Sequence, residues 1–469
     1  MTIKRIREEA RRTPVLEETD VLVNGGGPAG FTAAIAAARN GARVLLAEQR
    51  SFPGGCASLG LPFLGFYSDK RRRIVGGIPW ELVKRLVKAK ASPGLWLTGP
   101  DAKYKDSLVV TDVPMFRTVL GRMLAESGVK VLLHTLAAST IIKNGSIQGV
   151  ITESKVGRQA ILSTITVDAT GDGDVAADAG APFEKGDPQQ GLLQPATLLF
   201  QVFDVDMDAL LGDVEKHPVC YHIHSRRPLR YRADYRRGVR MQISGLEEIC
   251  RKAAERGDYD VPNPYVIFVC LPQEGTLLVN MAKVKLVDGT DNRDLTRAEL
   301  EGTENIWKVM YFLKKYVPGF KKAKVGWLAP SMGIRETRRI IADYTLNEDD
   351  MSAQVKFEDR IGMGGRYVDV HDPTPGNKAK SIYRVFPEGY YIPFRCLIPK
   401  KVGNLLVAGR CISVSYAAYG STRVMAQCMV TGQAAGTAAA LAVRENVPLR
   451  KLDVKQLQTA LKQDGAIID

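Results

Sequence analysis

A short apolar run at residues 20–24 (DVLVN) stops at three glycines, passes into an Ala-rich stretch at 28–40, and is followed by a second apolar run at 42–48 (ARVLLAE). Apolar, β-branched runs that end at a turn signal read as buried parallel strands, and the Ala-rich stretch reads as a helix. Strand, turn, helix and strand within about 30 residues make a βαβ unit. Gly25, Gly27 and Gly30 fit G-x-G-x-x-G. The first makes the turn, the second lets backbone approach a pyrophosphate, and the third lets helix and strand pack closely. Pro28 and Ala29 start the helix, whose bare N–H groups face the phosphates. Glu48 ends the second strand 18 residues beyond Gly30, where a carboxylate takes the hydroxyls of an adenosine ribose. The pattern predicts dinucleotide binding and does not choose among dinucleotides.

Composition excludes several classes. The chain has 469 residues, 45% hydrophobic and 25% charged. That is the balance of a globular protein, not of a disordered, collagen-like or coiled-coil one. Its seven cysteines are dispersed and none shows CxxC spacing, so neither a zinc ribbon nor an iron–sulfur site is expected. Dispersed free thiols suit a reducing cytosol. The basic first 13 residues lead into no apolar core of a signal peptide, and no apolar run reaches 18 residues. A cytoplasmic protein without a membrane span is therefore expected. The net charge of +14 is spread along the chain, with local clusters at 70–73, 226–240 and 335–339. A solvated basic surface accounts for it.

Further along, residues 51–112 are irregular, 114–127 read as a helix and 130–134 as a strand. Residues 139–168 read as short strands around the hairpin signal Asn144-Gly145, and 165–169 as another buried strand. Residues 185–395 differ in character, with a long helical pattern at 296–316 and strands at 265–271 and 276–282. A buried strand returns at 405–408, before a helix at 424–443.

Six blocks carry a family resemblance: residues 23–30, 48–60 (EQRSFPGGCASLG), 168–180 (DATGDGDVAADAG), 331–344 (SMGIRETRRIIADY), 391–409 (YIPFRCLIPKKVGNLLVAG) and 422–440 (TRVMAQCMVTGQAAGTAAA). They resemble FAD-dependent oxidoreductases with the glutathione-reductase-type fold, in a subgroup of undefined substrate. The resemblance implies an α/β fold: a Rossmann-like FAD-binding domain assembled from discontinuous segments, plus an inserted α+β substrate or cap domain. The segments are 19–184, with an irregular insertion at about 61–112, and a closing piece at 396–445; the cap spans 185–395. Residues 1–18 form an arm and 446–469 a C-terminal extension.

The implied cofactor is FAD. Its expected contacts are Gly25, Gly27, Pro28, Ala29 and Gly30, then Glu48, Gln49 and Arg50, then Gly54, Gly55, Cys56 and Ser58. Ala137 would flank the adenine, and Ala169, Gly171 and Asp172 would lie at a strand end. Gly409 and Arg410 follow the closing strand. Arg423, Val424 and Met425 would start a helix whose dipole faces the flavin N1–C2=O edge and raises its potential. Residues 171–176 fit G-x-G-x-x-A, but no strand with an acidic end follows, so a separate NAD(P)H domain is not expected.

Cys56 is read as a packing residue, with covalent flavin attachment left open. The next cysteine is Cys220, so dithiol chemistry is not expected. His371, in a loop before Pro373, is the candidate general acid–base. Arg335, Arg338 and Arg339 would share a helical face, gripping an anionic substrate or pairing with acids. Arg395 and Tyr419 are placed by position as flavin neighbours. His222 and His224 alternate on a strand without a supporting ligand cluster, and no metal site is expected. The reading is an FAD-dependent oxidoreductase that transfers hydride between a small-molecule substrate and flavin N5, with substrate and electron acceptor undetermined. Two alternatives stay open. One is a tRNA-modifying flavoprotein, prompted by the charge and by residues 226–240, although nucleic acid is not the favoured partner. The other is a flavoprotein subunit relaying electrons to an iron–sulfur partner. A homo-oligomer is also left open.

Overall fold

In the computed structural model, residues 9–97, 107–223, 230–374 and 384–469 are described. Strand β1 (Val15–Asn24) lies inside a seven-stranded sheet, parallel to β2 (Val44–Ala47) on one side and to Gly157–Asp168 on the other. Val21, Leu22 and Val23 are fully buried, as the apolar run requires of a strand covered on both faces. Helix α1 (Pro28–Arg39) crosses between β1 and β2, with Pro28 in its first turn where a missing N–H costs nothing. Lys130–Leu132 extends the parallel sheet beyond β2, and Leu405–Val407 joins it beside Gly157–Asp168. Ser146–Ser154 and Leu136–Lys143 complete it as an antiparallel hairpin around Asn144-Gly145, with both residues at positive φ.

A second, six-stranded antiparallel sheet is built from Ala196–Phe203, Tyr221–Ile223, Gln242–Gly245, Val266–Cys270, Leu277–Val284 and Lys324–Leu328. The 25-residue helix Asn292–Tyr316 packs on it. One face of this sheet buries its own core, with Phe200, Phe268 and Val279 fully enclosed. The other face looks toward β1 and the nucleotide fingerprint.

The boundaries differ from the sequence reading in three places. The arm is shorter, because β1 starts at Val15, opposite Ala160, rather than at residue 20. The separate cap core ends near Met332; Ile340, Met351, Phe386 and Tyr390 belong instead to the core around β1. The described residues of 340–395 therefore pack with the first core and not with the cap. Residues 446–469 also pack back, through Leu449, Leu457, Leu461 and Ile468. No helix among the described residues is long and apolar enough to cross a membrane.

Candidate functional site

The turn after β1 is fixed by backbone. Gly25 has φ +92°, and a Cβ there would stand 2.6 Å from the Ala169 carbonyl oxygen, so a side chain is excluded on both counts. A Cβ on Gly30 would stand 1.7 Å from the Gly25 carbonyl oxygen, so Gly30 closes the helix onto its own turn and does not line the site. At Gly27 the same construction meets nothing within 4 Å, because that position faces an open cavity. The Glu48 carboxylate accepts from the Gly26 N–H at 2.7 Å and from the Arg50 N–H at 2.8 Å. Those two bonds hold its orientation at the rim of that cavity.

The cavity is about 1010 Å³, at the top of the ~300–1,000 Å³ range usual for small-molecule sites. It runs from the fingerprint to the open face of the six-stranded sheet. Gly25, Gly27, Pro28 and Ala29 line one end, with Glu48, Gln49, Arg50 and Ala137. Gly55, Cys56, Ala169, Gly171, Asp172, Gly409 and Arg410 form the middle. Arg410 is fixed there by the Asp172 carboxylate, the Gly171 carbonyl and the Ile334 carbonyl. Arg423, Val424 and Met425 bring the N-terminus of the helix Met425–Glu445 to the wall.

Gly54 and Ser58 do not line the cavity. The Gly54 N–H donates to the Gly26 carbonyl and the Ser58 hydroxyl to the Pro53 carbonyl, so both build the loop that presents Gly55 and Cys56. Cys56 is not alone: Cys428, remote in sequence, lines the same cavity. Its thiol donates to the Arg423 carbonyl at 3.2 Å, and burial pushes its pKa up to about 12.

The residues fit a dinucleotide by two observations. The space above Gly27 is the kind a pyrophosphate fills. Asn24, at the end of β1 and only 1% exposed, lines the cavity with its amide oxygen and nitrogen both buried and unbonded among the described residues. A buried amide without partners is costly, and it points to a polar ligand at this strand end.

Of the four candidate catalytic residues, the structure brings two to the cavity. His371 lines it, its backbone N–H donating to the Gln194 side chain at 3.1 Å and its Nε2 lying 3.5 Å from Asp369. Burial, with Arg335, Lys283 and Arg423 nearby, drives its pKa well below the usual value despite Asp369, so it is a neutral base. Arg335 lines it too, donating through Nη1 to the Pro195 carbonyl and the Thr197 hydroxyl, each at 2.6 Å.

The other two lie elsewhere. Arg395 is about half exposed and bonded to Asp359 at 2.9 Å, because the turn Phe394–Leu397 aims it outward. Tyr419 is fully buried in the helix Tyr416–Thr422, and its hydroxyl donates to the Arg335 carbonyl at 2.9 Å. It braces Arg335 and does not reach the cavity.

The arginines 335, 338 and 339 do not share a helical face. The segment is extended, with Arg338–Ile340 paired antiparallel to Phe183–Lys185. Arg338 goes to Asp174 and Arg339 to the buried Glu336. A spacing of i, i+3, i+4 was the signal, but strand pairing overrides it.

Asn24, Arg366 and Asp369, which line the cavity, and Lys283 close to it have no sequence signal of their own. Burial raises the Asp369 carboxyl, but His371, Arg366, Arg423 and Arg335 together hold it down at about 2. His222 lines the cavity on the sheet side, beside Glu247 at 3.1 Å. His224, Arg226 and Arg227 lie outside the described residues. Among the described arginines of 226–240, Arg232 pairs with Glu215, Arg236 with Asp208, and Arg240 binds backbone carbonyls. No group of three or more potential metal-ligating side chains occurs among the described residues.

A family model described as FAD dependent oxidoreductase matches residues 20–461. Thiamine thiazole synthase of Aeropyrum pernix is 33% identical over 137 residues, which is 28% of this chain and 43% of that protein. Thiamine thiazole synthase of Methanococcus aeolicus is 30% identical over 165 residues, 33% of this chain and 55% of that protein. The matches thus span about half the length of these curated relatives. Among solved structures, a geranylgeranyl bacteriochlorophyll reductase-like protein from Thermoplasma acidophilum has a TM-score of 0.42 at 14% identity, covering 95% of this chain and 83% of that one. The p-nitrophenol 4-monooxygenase of Pseudomonas putida has a TM-score of 0.45 at 11% identity, covering 95% and 84%.

Proposed function

Because the chain belongs to the family of FAD-dependent oxidoreductases, we propose that this continuous cavity holds FAD along the fingerprint end and a small organic substrate against the six-stranded sheet, for hydride transfer between that substrate and flavin N5. When bound, FAD supplies the hydride acceptor or donor. The observation that carries this reading is the continuity of one cavity from Gly27 and Glu48 to Leu199 and Ile267 on the sheet.

The chain's own residues then have distinct tasks. Glu48, oriented by two backbone N–H groups, offers lone pairs to ribose hydroxyls. Asn24 and the N–H groups at the start of α1 take the phosphate region. The N-terminus of the helix Met425–Glu445 presents a positive dipole end to the wall, suited to negative charge that builds on reduction. Neutral His371 accepts a proton from a substrate O–H or N–H, and Asp369 beside it stabilises the cation that results.

The first experiment is a spectrum of the purified protein. Oxidised-flavin bands are expected, with FAD rather than FMN released on denaturation. Release of FMN alone, or no flavin after reconstitution, contradicts the reading.

Glu48→Gln should weaken FAD retention by roughly ten- to hundredfold, since charge-assisted bonds of about 1.5–3 kcal/mol are at stake. The amide also turns an N–H₂ toward one of two backbone donors, Gly26 or Arg50. Equal FAD affinity in the variant removes Glu48 from the ribose site.

Cys56→Ser should purify with FAD bound, because Ser is nearly isosteric and the loop is set by Gly54 and Gly55. Acid precipitation of both proteins checks the linkage. Flavin that stays with the wild type and leaves the variant means a covalent bond at Cys56.

A further inference from the structure

Where the cavity meets the sheet, Arg335 lines it and Lys283 lies close by without lining it, and each carries donors that no described residue accepts. Arg335, Arg366, Arg423 and Lys283 surround Asp369. The Arg335 guanidinium spends Nη1 on the Pro195 carbonyl and the Thr197 hydroxyl. No acceptor among the described residues takes its Nη2 or Nε, and the residue lines the cavity. Lys283 sits opposite Thr197 in the ladder and is only 4% exposed. Its Nζ lies 5.0 Å over the ring of Tyr265, a cavity-lining residue, and has no hydrogen-bond acceptor among the described residues. Burial, reinforced by Arg335, brings its pKa down to about 7. The Arg423 Nε is likewise buried and unbonded. With Asp369 the one carboxylate named among these cations, the donors still left open call for a further anion.

The adjoining wall is apolar. Leu199 is two residues from Thr197 on one strand, so their side chains share a face. Val269 and Leu278 are direct cross-strand neighbours, and Ile267 lies on the same face as Val269. Polar side chains, Gln242 and Ser244, follow on the next strand.

We propose that the substrate is an organic acid whose carboxylate is gripped by the free edge of Arg335, with Lys283 adding positive charge from outside the cavity wall, and whose hydrocarbon body lies on Leu199, Ile267, Val269 and Leu278. A guanidinium with one edge fixed presents a planar fork that matches a carboxylate. The apolar strip next to it selects acids with a chain or ring over small hydrophilic ones. This rests on the reading that the sheet end of the cavity is the substrate end.

The test is calorimetric titration of the FAD-loaded protein with butyrate, octanoate and 1-octanol. Octanoate should bind at least tenfold more tightly than butyrate, since each buried methylene is worth about two- to fourfold. It should also bind at least tenfold more tightly than 1-octanol, which lacks the charge. Arg335→Gln should weaken octanoate thirtyfold or more and leave 1-octanol unchanged, and Lys283→Met should act in the same direction. The comparison of ligands in the wild type decides the matter if either variant does not fold. Equal binding of octanoate and 1-octanol, or no binding of octanoate to FAD-loaded protein, overturns the proposal. So does loss of FAD from Arg335→Gln, because the guanidinium would then serve the cofactor. The FAD-to-protein absorbance ratio of the wild type tests the cofactor reading separately. A wild type that takes up no FAD defeats that reading before any acid is added.

Discussion

Gly27→Val is expected to abolish FAD retention and leave the fold in place. Gly27 has φ −67° and ψ −175°, extended backbone that any residue adopts, so valine brings no strain there. A Cβ at Gly27 meets no protein atom within 4 Å, so the apo protein has no clash to relieve. The two valine methyls enter the space over the start of α1, where the pyrophosphate needs direct access to backbone N–H groups. Less than about a tenth of the wild-type flavin content should survive purification. Thermal unfolding of the two apo proteins should differ by only about 1 kcal/mol, the scale of a poorer helix cap. The apo forms must be compared, because FAD stabilises the wild type by mass action. Full flavin content in Gly27→Val would place the pyrophosphate elsewhere.

The parts of the molecule that were legible in the sequence are those held by local backbone rules. Gly25 and Gly30 announce a turn closed against its own helix, and the runs that became β1 and β2 are apolar on both faces because both faces are covered. Glu48 follows from that geometry by counting. The basic end of the cavity was half legible. Arg335 and His371 stand out in the sequence by their chemistry, and the fold delivers both to one place. Arg395 and Tyr419 lie near the closing strand and helix in sequence, but nearness in sequence does not fix the direction of a side chain. Arg395 turns out to Asp359, and Tyr419 turns beneath Arg335. Lys283 was illegible for another reason. It lies on a strand whose neighbours are apolar, and only the pairing of that strand with Thr197 puts its ammonium beside Arg335. The second cysteine at the cavity, Cys428, is invisible in the same way, since its approach to the Cys56 wall depends on the closing helix lying along α1.

That helix contact supports the second large effect. Gly436→Ala should destabilise the protein severely, whereas Gly121→Ala should stabilise it. The substitution is the same, both positions are inside helices, and helix propensity alone favours alanine at each by about 1 kcal/mol. The surroundings reverse the sign at one of them. Gly121 is exposed and a Cβ there meets nothing within 4 Å. At Gly436 a Cβ would stand 2.0 Å from the Ala33 carbonyl oxygen of α1, and one turn earlier a Cβ on Gly432 would stand 2.1 Å from that of Ala29. Ordinary contact begins at about 3.4 Å, so the two helices would have to part by more than an ångström. The obstacle is backbone, which cannot swing aside as a side chain does. Parting the helices also opens the layer of alanines between them, including Ala33, Ala36 and Ala439, all fully buried. Overpacking typically costs 1–3 kcal/mol and more where backbone is the neighbour, and the start of α1 carries the fingerprint. The Gly436→Ala protein should therefore melt well below the wild type or fail to accumulate in soluble form, with its flavin lost in the same samples. Urea unfolding of the Gly121→Ala protein should show a midpoint at or above that of the wild type. A Gly436→Ala protein with the wild-type midpoint would mean that α1 and the closing helix are not in backbone contact, and the wall that carries Arg423, Met425 and Cys428 would then have to be placed differently.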